Sequence, residues 1–408
     1  MREMKDSGVQ WIGEIPNGWT VTRFKNVHGK TNVGEAIDKE FWSDDEIDTT
    51  FYTASVVPIH TSYQDFPDWK YTRDEDILFA RNGTPYVYYP VSGAAYTDHI
   101  IRTDIIGRYD KRFIRYCLQR SIEYEVVNTV SIPTWSVSIW DKQVLSIPSK
   151  EIQAAIADFL DLSCVKIEAL IANEEAQIEK LKAYKQSLIT EVVTKGLDPS
   201  APMKDSGVEW IGKMPSGWKT IRVKNLLQER KERSVDGLEE PLSMSQKLGL
   251  VPTKELDMIP NMASSFVGAK LAYVDDLVFN KLKAHLGVFS VSRFDGLVSP
   301  DYAVYYSTGR INLKYLEYLF KTPQCILEFR KRSTGIAAGL TRLYTDGLFA
   351  IECPYPSKEE QDQIVSFLNE KIERINQLML VKQQKIDKLN TYKKSLIYEY
   401  VTGKKEVV

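Results

Sequence analysis

Two long stretches of this chain place apolar residues three and four positions apart, with Lys, Glu and Gln crowded between them. They run from about Glu151 to Thr194 and from about Glu359 to Val401. A narrow apolar seam with charged flanks is typical of a coiled coil, and each helix would span about 65 Å at 1.5 Å per residue. Because such a seam is not stable alone in water, the pattern predicts that the two helices pair.

Each predicted seam has one polar gap, and the gap falls at the same place near the middle of both helices, at Glu174 and Lys382. In an antiparallel pair these residues would face each other and favour one register. The alternative is that both side chains lie at the edge of the seam in water. The predicted seam residues are Ile152, Ile156, Phe159, Ile167, Leu170, Ile178, Leu181, Tyr184 and Leu188 in the first helix, and Ile364, Phe367, Ile375, Leu378, Ile386, Leu389, Tyr392 and Leu396 in the second.

The segments that flank these helices are repeated. MKDSGVQWIGEIPNGW at Met4–Trp19 returns 199 positions later as MKDSGVEWIGKMPSGW at Met203–Trp218. PSKEIQ at Pro148–Gln153 returns 208 positions later as PSKEEQ at Pro356–Gln361. A nearly verbatim repeat indicates that both copies meet the same surroundings. We expect each lead-in block to pack on its module or on a helix end; the alternative is a docking patch for a partner.

The modules between the repeated blocks have diverged but share a pattern. The segments Asp76–Arg81 and Asp276–Lys281 are both predicted strands that end in a cation, and His99–Thr103 aligns with Tyr302–Tyr306 as the next strand. A helix with aromatic residues at helical spacing follows in both. The helix residues that match are Phe113, Tyr116 and Leu118 with Tyr315, Tyr318 and Phe320.

Two polar stretches rich in Gly, Ser and Thr, Asn128–Ser136 and Ser333–Thr341, predict loops ahead of the long helices. The predicted fold class is α+β or mixed, with two α/β modules separated by two long antiparallel coiled-coil helices in pseudo-twofold symmetry. The predicted domains are residues 1–149 (lead-in 4–19) and 198–356 (lead-in 203–218) for the modules, and 150–197 and 357–408 for the helices.

Composition narrows the function only slightly. The 408 residues carry 53 Lys and Arg against 55 Asp and Glu, a net charge of −2 that argues mildly against nucleic-acid binding. Only the face that meets phosphate must be basic, however, so local charge decides. There is no signal-peptide pattern, no apolar run long enough for a membrane span and no CxxC among the four cysteines, which fits a reducing cytoplasm.

Catalytic signatures are missing from the sequence. It has no phosphate-binding GxxxxGK[ST] loop, no HExxH pair and no GxSxG elbow, and its four histidines do not stand at metal-ligand spacing. No Asp-Pro-Pro-Tyr-like tetrapeptide for amino-group methylation occurs either. The sequence therefore predicts a binder and organiser, not an enzyme, with no metal and no cofactor of its own.

The assembled pattern resembles the specificity subunits of prokaryotic type I restriction-modification systems, the HsdS family. The resemblance covers essentially the whole chain: module, helix, module, helix. Its most family-like segments are the lead-in DSGVxWIGxxPxGW, LVFNKLKAHLG at Leu277–Gly287 and PSKEEQDQIVSFL at Pro356–Leu368. The Gln-x-x-Ile-x-x-Phe-Leu signature occurs twice, at Gln153–Leu160 and Gln361–Leu368.

The resemblance implies that each module is a target-recognition domain that reads one half of a split site in double-stranded DNA. Residues 20–147 would read the 5′ half-site and residues 219–355 the 3′ half-site. The helices would set the spacing and dock two methyltransferase (modification) subunits, which motor-nuclease (restriction) subunits join. S-adenosylmethionine and ATP would be used by those partner subunits, in a prokaryotic cytoplasm.

Local charge agrees with DNA binding. The stretches 102–120 and 321–344 each have a net charge of +4. Short polar side chains and cations near them are suited to phosphates and base edges. The predicted DNA-binding residues are Arg81, Asn82, Thr84 and Tyr86 in the first module, and Lys281, Lys283, His285, Arg332, Thr341 and Arg342 in the second.

Two other functions remain open at this point. The chain could be a coiled-coil scaffold whose modules bind protein and have no DNA specificity, or an enzyme with an unrecognised site. The unequal divergence of modules and frame favours DNA recognition over a scaffold, because an adaptor for two identical partners has little reason to vary its modules. The missing catalytic motifs count against the enzyme.

Overall fold

The computed structural model describes residues 3–127, 134–246, 248–256, 266–337 and 340–407. The chain divides into two compact units. Unit 1 comprises Met1–Glu175 with Gln383–Val408, and unit 2 comprises Ala176–Lys382. Each unit therefore contains one module together with part of each long helix. The predicted domain boundaries follow the order of the chain and stay a prediction.

The elements of the first half alternate short strands with few helices. In chain order they are β1 (Met4–Asp6), β2 (Glu14–Pro16), β3 (Thr20–Arg23), β4 (Asn32–Val33), β5 (Trp42–Ser43), β6 (Thr49–Tyr52), β7 (Ile59–Thr61), β8 (Asp76–Ala80), β9 (Val87–Tyr88), β10 (Ala95–Tyr96), β11 (Ile100–Asp104), α1 (Lys111–Val127), α2 (Val137–Lys142), β12 (Val144–Ile147) and the long helix α3 (Lys150–Lys195).

The second half repeats this order with changes. Its elements are β13 (Met203–Asp205), β14 (Lys213–Pro215), β15 (Lys219–Arg222), β16 (Leu227–Glu229), β17 (Leu242–Ser245), β18 (Gly249–Pro252), β19 (Lys270–Ala272), β20 (Leu277–Asn280), β21 (Phe289–Val291), β22 (Gly296–Val298), β23 (Tyr302–Ser307), α4 (Leu313–Phe320), α5 (Pro323–Arg332), β24 (Thr334–Ala337), β25 (Leu340–Arg342), α6 (Thr345–Phe349), β26 (Glu352–Tyr355) and the long helix α7 (Lys358–Val401).

Both modules are built on the same four-stranded antiparallel sheet. Its order is β4-β11-β8-β9 in unit 1 and β16-β23-β20-β21 in unit 2. The register corrects the alignment made from sequence by one residue. Ile100 faces Ala80, and Tyr302 faces Asn280, so the equivalent of Tyr302 is Ile100 and not His99. A slip of one residue is easily made in strands that are buried on both faces, because no polar alternation marks the register.

The pairs β1-β2 and β3-β12 recur as β13-β14 and β15-β26, but the other strands outside this sheet differ between the modules. Unit 1 has a second four-stranded sheet of order β10-β6-β7-β5, whereas unit 2 has the two-stranded pairs β17-β18 and β19-β22 at the corresponding place in the chain. The predicted loop at Ser333–Thr341 is wrong in part, because β24 and β25 form a hairpin there. In the other copy, residues 128–133 lie outside the described residues, and Ser136 precedes helix α2.

The helix that follows the sheet is continuous in unit 1 and broken in unit 2. Phe113, Tyr116 and Leu118 on α1 are buried, as are Tyr315 and Phe320 on α4, which confirms the matched aromatic positions. The break comes at Thr322-Pro323. Pro323 cannot donate a helical hydrogen bond, and the Thr322 hydroxyl accepts one from the Cys325 N–H as the cap of a new helix.

The predicted long helices are confirmed as α3 and α7. Within unit 1 they run antiparallel, since Glu168 contacts Lys393 while Glu174 contacts Lys385. Within unit 2 they are also antiparallel, with Lys185 on Asn376 and Lys382 on Gln177. The predicted fold class is therefore confirmed in its mixed α/β modules and its long antiparallel helices.

The seam follows a strict spacing of four and three, and this corrects the predicted seam at two repeated positions. Leu170 and Leu378 are 47% and 53% exposed, and Tyr184 and Tyr392 are 57% and 55% exposed. In each case the next residue occupies the seam instead. The residues at the corrected seam positions are Ile171, Lys185 and Lys393, together with Met379 one position after Leu378. Ile152, in the first turn of α3, is also 42% exposed.

A buried glutamine attaches each long helix to the module in its unit. Gln153 accepts a hydrogen bond from the Asp110 N–H at 2.9 Å and donates to the Pro148 carbonyl oxygen at 2.9 Å. Gln361 makes the same two bonds, to the Asn312 N–H at 2.7 Å and the Pro356 carbonyl oxygen at 3.0 Å. Both glutamines belong to the repeated Gln-x-x-Ile-x-x-Phe-Leu signature, so this part of the repeat has a structural role.

Candidate nucleic-acid interface

In the four-stranded sheet common to both modules, one inner strand (β8 in unit 1, β20 in unit 2) is followed directly by a cation. Arg81 follows β8, and its carbonyl oxygen accepts the Trp135 N–H at 2.7 Å. Lys281 follows β20, and its carbonyl oxygen accepts the Leu343 N–H at 3.0 Å. The two residues predicted to be equivalent are thus held by equivalent backbone hydrogen bonds at the end of equivalent strands.

In unit 1 the Arg81 side chain is exposed at the sheet end, and NH1 lies 3.5 Å from the Asp98 carbonyl oxygen. Asn82 is near it, with Nδ2 2.8 Å from Nδ1 of His99. Thr84 is exposed in the following turn. That turn is fixed from behind by the Trp135 indole, which donates to the Gly83 carbonyl oxygen at 2.8 Å. The structure therefore brings Arg81, Asn82 and Thr84 together on one exposed turn.

Tyr86 lies apart from that turn. Its ring packs edge-on against Tyr88 at 4.8 Å, and it lines a cavity of about 390 Å³ between α1 and the long helices of unit 1. Arg115, on α1, lines the same cavity and stacks on Tyr116. Tyr86 is half-buried, so it is placed to support the turn more than to reach a ligand in front of it.

In unit 2 the sheet end gathers Lys281 and Arg342. Arg342 NH2 lies 2.8 Å from the Asp301 carboxylate, and Asp301 directly precedes Tyr302, which pairs with Asn280 beside Lys281. Thr341 is exposed on the hairpin strand β25. These residues lie near the end of β20 in unit 2, which is equivalent to the end of β8 where Arg81 lies in unit 1.

Three predicted residues of unit 2 lie on neighbouring segments. Lys283 is exposed and His285 half-buried in a tight turn that ends at Gly287, whose φ of 75° lies in the left-handed region that favours glycine. Arg332 lies at the end of α5, with Nε 3.5 Å from Glu328. α5 packs against that turn, so the segments are neighbours, but the charge of Arg332 is already partly compensated.

Sequence reasoning missed Lys270. Its Nζ donates to the Tyr302 carbonyl oxygen at 2.5 Å, which places it at the strand ends beside Lys281. Burial lowers the pKa of Lys270, and the Lys281 ammonium lowers it further. The signal was present in the sequence: Lys270 stands six residues before Asp276, as Lys70 stands six residues before Asp76.

The two basic stretches that supported DNA binding are less basic in the structure than in the sequence. Arg102 is buried against Asp76, and Arg112 binds Asp110, Asp158 and Asp161. In the second stretch, Lys321 pairs with Glu317, which lies outside the counted window. Net charge along a sequence segment counts no partners from elsewhere in the fold, so the net charge of +4 in each stretch does not identify a phosphate-binding face.

Glu174 and Lys382 both lie at the predicted polar positions of the seam. Each contacts the opposite helix at a residue about one turn from its predicted partner. Glu174 is only 5% exposed, and its Oε1 lies 2.6 Å from Lys385 Nζ in unit 1. Lys382 donates to the Gln177 side chain in unit 2. The two contacts join equivalent positions of the repeat. Direct pairing of Glu174 with Lys382 as a register device stays a prediction.

Within the described ranges, no group of three or more His, Cys, Asp or Glu side chains could hold a metal ion. No helix among the described residues is long and apolar enough to cross a membrane. The cysteines Cys117, Cys164, Cys325 and Cys353 are all buried and free. Burial raises the pKa of the Cys117 and Cys325 thiols, so these are poor nucleophiles.

No family model matches the chain. Among curated proteins it is 21% identical over 291 residues to the type I restriction enzyme MjaVIII specificity subunit of Methanocaldococcus jannaschii. The match spans 67% of this chain and 64% of that relative, which is less than two thirds of the relative's own length.

A solved structure has the same fold. A chain from a structural study of complex assembly and conformational transition in the type I R-M system superposes with a TM-score of 0.67 at 14% identity, covering 95% of this chain and 98% of that one. The HsdS subunit from Thermoanaerobacter tengcongensis matches over 95% of this chain and 98% of its own, with 16% identity and a TM-score of 0.48. The resemblance predicted from sequence is thus confirmed: the chain is similar to type I restriction-modification specificity subunits and has the fold of a type I R-M chain.

Proposed function

We propose that this chain is the non-catalytic, DNA-reading subunit of a type I restriction-modification complex. In this proposal each module reads one half of a split site in double-stranded DNA, and the two long helices set the distance between the halves. Two methyltransferase subunits dock on the chain and restriction subunits join them, in the cytoplasm of a prokaryote. Methylation and cleavage belong to those partners.

One observation carries the proposal: the same sheet presents a cation, Arg81 or Lys281, at the same place in both modules, surrounded by different side chains. In unit 1 the neighbours are Asn82 and Thr84, and in unit 2 they include Lys283 and Arg342. A fixed cation suits the phosphate backbone that every DNA sequence shares, while the variable neighbours suit different base edges. A scaffold that binds two identical proteins would not need that difference.

The decisive experiment is a map of N6-methyladenine in the host genome with and without this gene. We expect one split motif to lose its methylation when the gene is deleted. Exchanging residues 20–147 for those of another specificity subunit should change only one half of that motif. An unchanged map on deletion would contradict the proposal, and a change in both halves would contradict independent reading by the two modules.

Point variants test the aligned cations. Arg81→Gln and Lys281→Gln should each reduce methylation of the motif, because each removes a positive charge at a strand end that faces solvent. Arg23→Gln and Arg222→Gln are matched controls: these exposed arginines are the last residues of β3 and β15, outside the four-stranded sheets. Equal losses in variants and controls would show that the strand ends have no special role.

A further inference from the structure

Unit 2 holds a small cluster of cations that its own carboxylates do not neutralise. Lys270 donates to the Tyr302 carbonyl oxygen, and Tyr302 pairs with Asn280, the residue before Lys281. The Lys281 ammonium is near enough to lower the pKa of Lys270. Among the described residues neither lysine has a carboxylate within 4 Å, although many other cations of the chain do. Like charges at such short range repel, and the fold keeps them there.

The surroundings of this pair are mixed but remain net positive. Arg233 also acts on Lys270, from the paired segment opposite β19, and Glu229 is the nearby acid. Glu229 is itself engaged, because its Oε2 accepts the Thr345 hydroxyl at 2.9 Å. The neighbouring Asp301 is paired with Arg342. Lys270 therefore has two cations and one acid acting on it.

The equivalent lysine of unit 1 has been neutralised. Lys70 stands six residues before Asp76, as Lys270 stands six residues before Asp276, and the Lys70 Nζ lies 3.3 Å from the Glu35 carboxylate and 3.0 Å from the Gly34 carbonyl oxygen. It also stacks on the Trp69 ring. The same position in the sequence thus gives a structural ion pair in one module and, in the other, a cation that has no carboxylate within 4 Å among the described residues.

We propose that Lys270 and Lys281 together bind one phosphate of the DNA backbone, a contact that unit 1 does not make at Lys70. This inference rests on the proposed DNA-reading function. Lys270 uses one of its three N–H donors on Tyr302 and keeps two, and Lys281 can offer its own. A phosphate oxygen between the two ammonium groups would relieve their repulsion and replace the missing carboxylate. A lysine pair binds a phosphate as point charges and carries no base specificity, so the contact fixes position and not sequence.

The test measures DNA affinity of the chain in complex with its methyltransferase subunit, on a duplex that carries the mapped motif, across a series of salt concentrations. Lys270→Gln and Lys281→Gln should each weaken binding about three- to tenfold at 0.1 M salt. The slope of log K against log salt should fall by about 0.9, the value for one phosphate. The motif itself should stay the same, since no base contact is removed.

Lys70→Gln is the matched control, and its salt slope should equal that of the natural chain because Glu35 already neutralises Lys70. Lys270→Arg keeps the charge and should keep most of the slope. If Lys270→Gln unfolds, Lys281→Gln carries the test of charge removal. An unchanged slope in Lys281→Gln, with specific binding by the natural complex intact, would overturn the phosphate site alone. If the natural complex did not prefer the motif duplex over an unrelated one, the proposed function would fail first.

Discussion

The two modules place a buried carboxylate at the same position and neutralise it from different strands. Asp76 begins β8 and binds Arg102, which lies on β11, at 3.0 Å. Asp276 directly precedes β20 and binds Arg230, which follows β16, at 2.6 and 2.9 Å. In both, the carboxylate also accepts a backbone N–H from three residues earlier. The turn before the strand fixes the acid, and the fold needs a nearby arginine but not one from a particular strand.

The largest predicted effect comes from removing the arginine that binds each of these buried carboxylates. Arg102→Met and Arg230→Met should each lower the free energy of unfolding of their unit by about 3–5 kcal/mol, because each leaves a buried carboxylate without its cation. Urea unfolding followed by circular dichroism measures the change. Arg222→Met, at an exposed arginine that pairs with Glu352, should cost less than about 1 kcal/mol. A small cost for Arg230→Met would mean that the acid, and not the pair, is the shared requirement.

The next effect should be the same in both modules. Gln153→Leu and Gln361→Leu each leave a half-buried N–H and the carbonyl oxygen of a buried proline without the glutamine partner, so each should cost about 2–4 kcal/mol. Both glutamines are almost fully buried and make the same two hydrogen bonds. Unfolding curves of the two variants, measured side by side, test the equality. A large difference would show that the repeated signature does not do the same work in both units.

The segments that repeat between the two halves were predicted well from the sequence, because their two copies are almost identical. The long helices, the middle strands and the aligned cations Arg81 and Lys281 were all predicted, since periodicity and the two copies reinforce each other. The predicted seam was wrong at Leu170 and Tyr184, which are apolar but exposed. Beside Tyr184, the residue that lies in the seam is Lys185. A lysine in a seam buries its aliphatic chain, while its ammonium group donates a hydrogen bond, here to Asn376. A hydropathy pattern therefore does not show its apolar contribution.

The candidate site was harder to predict because it depends on pairing between distant segments. Arg102 and Arg112 added to the net positive charge of the stretch 102–120 in sequence and form structural ion pairs in the fold. Lys270 looked ordinary, and in the part of the chain that the structure describes no carboxylate lies within 4 Å of it. The difference lies in whether a carboxylate such as Glu35 comes close, and only tertiary structure decides that. Local sequence therefore identified the strand ends but not the charges that remain free there.

A smaller, pH-dependent difference is expected where the helix ties down the edge strand. In unit 1 the neutral Gln119 accepts the Val87 N–H at 2.8 Å, and in unit 2 the charged Glu317 accepts the Val291 N–H at 3.1 Å. Burial acts to raise the pKa of Glu317, but the ammonium groups of Lys321 and Lys314 outweigh it and hold this pKa below its ordinary value of 4.5. The charged form is therefore the one that stabilises the folded state.

Because the folded pKa is lower than the unfolded one, the contribution of Glu317 is complete above about pH 4.5 and is lost as the pH falls through the folded value. Glu317→Gln should cost about 1–2 kcal/mol at pH 7 and less at pH 3. Unfolding curves at the two pH values measure it. Gln119→Glu is the converse substitution in unit 1, from a neutral to a charged side chain. A cost of Glu317→Gln that does not change with pH would show that shape, and not charge, ties down the edge strand.

The smallest effect should be a gain. The Trp218 indole N–H donates to the Glu360 carboxylate at 2.8 Å, in the first turn of α7. The equivalent Trp19 indole N–H is buried and has no partner among the described residues, because the position that matches Glu360 is Ile152. Ile152 lies beside Trp19 and is 42% exposed. Ile152→Glu should therefore stabilise unit 1 by about 0.5–1.5 kcal/mol, through the new hydrogen bond and the favourable placement of an acid at a helix N-terminus.

A double-mutant cycle separates the two sources of this gain. Trp19→Phe should cancel the hydrogen-bond part in the Ile152→Glu background and leave the part that comes from the helix dipole. Glu360→Ile in unit 2 should lose about as much as Ile152→Glu gains. If Ile152→Glu stabilises equally with Phe at position 19, then the indole is not the partner and the two lead-in blocks meet different surroundings despite their shared sequence.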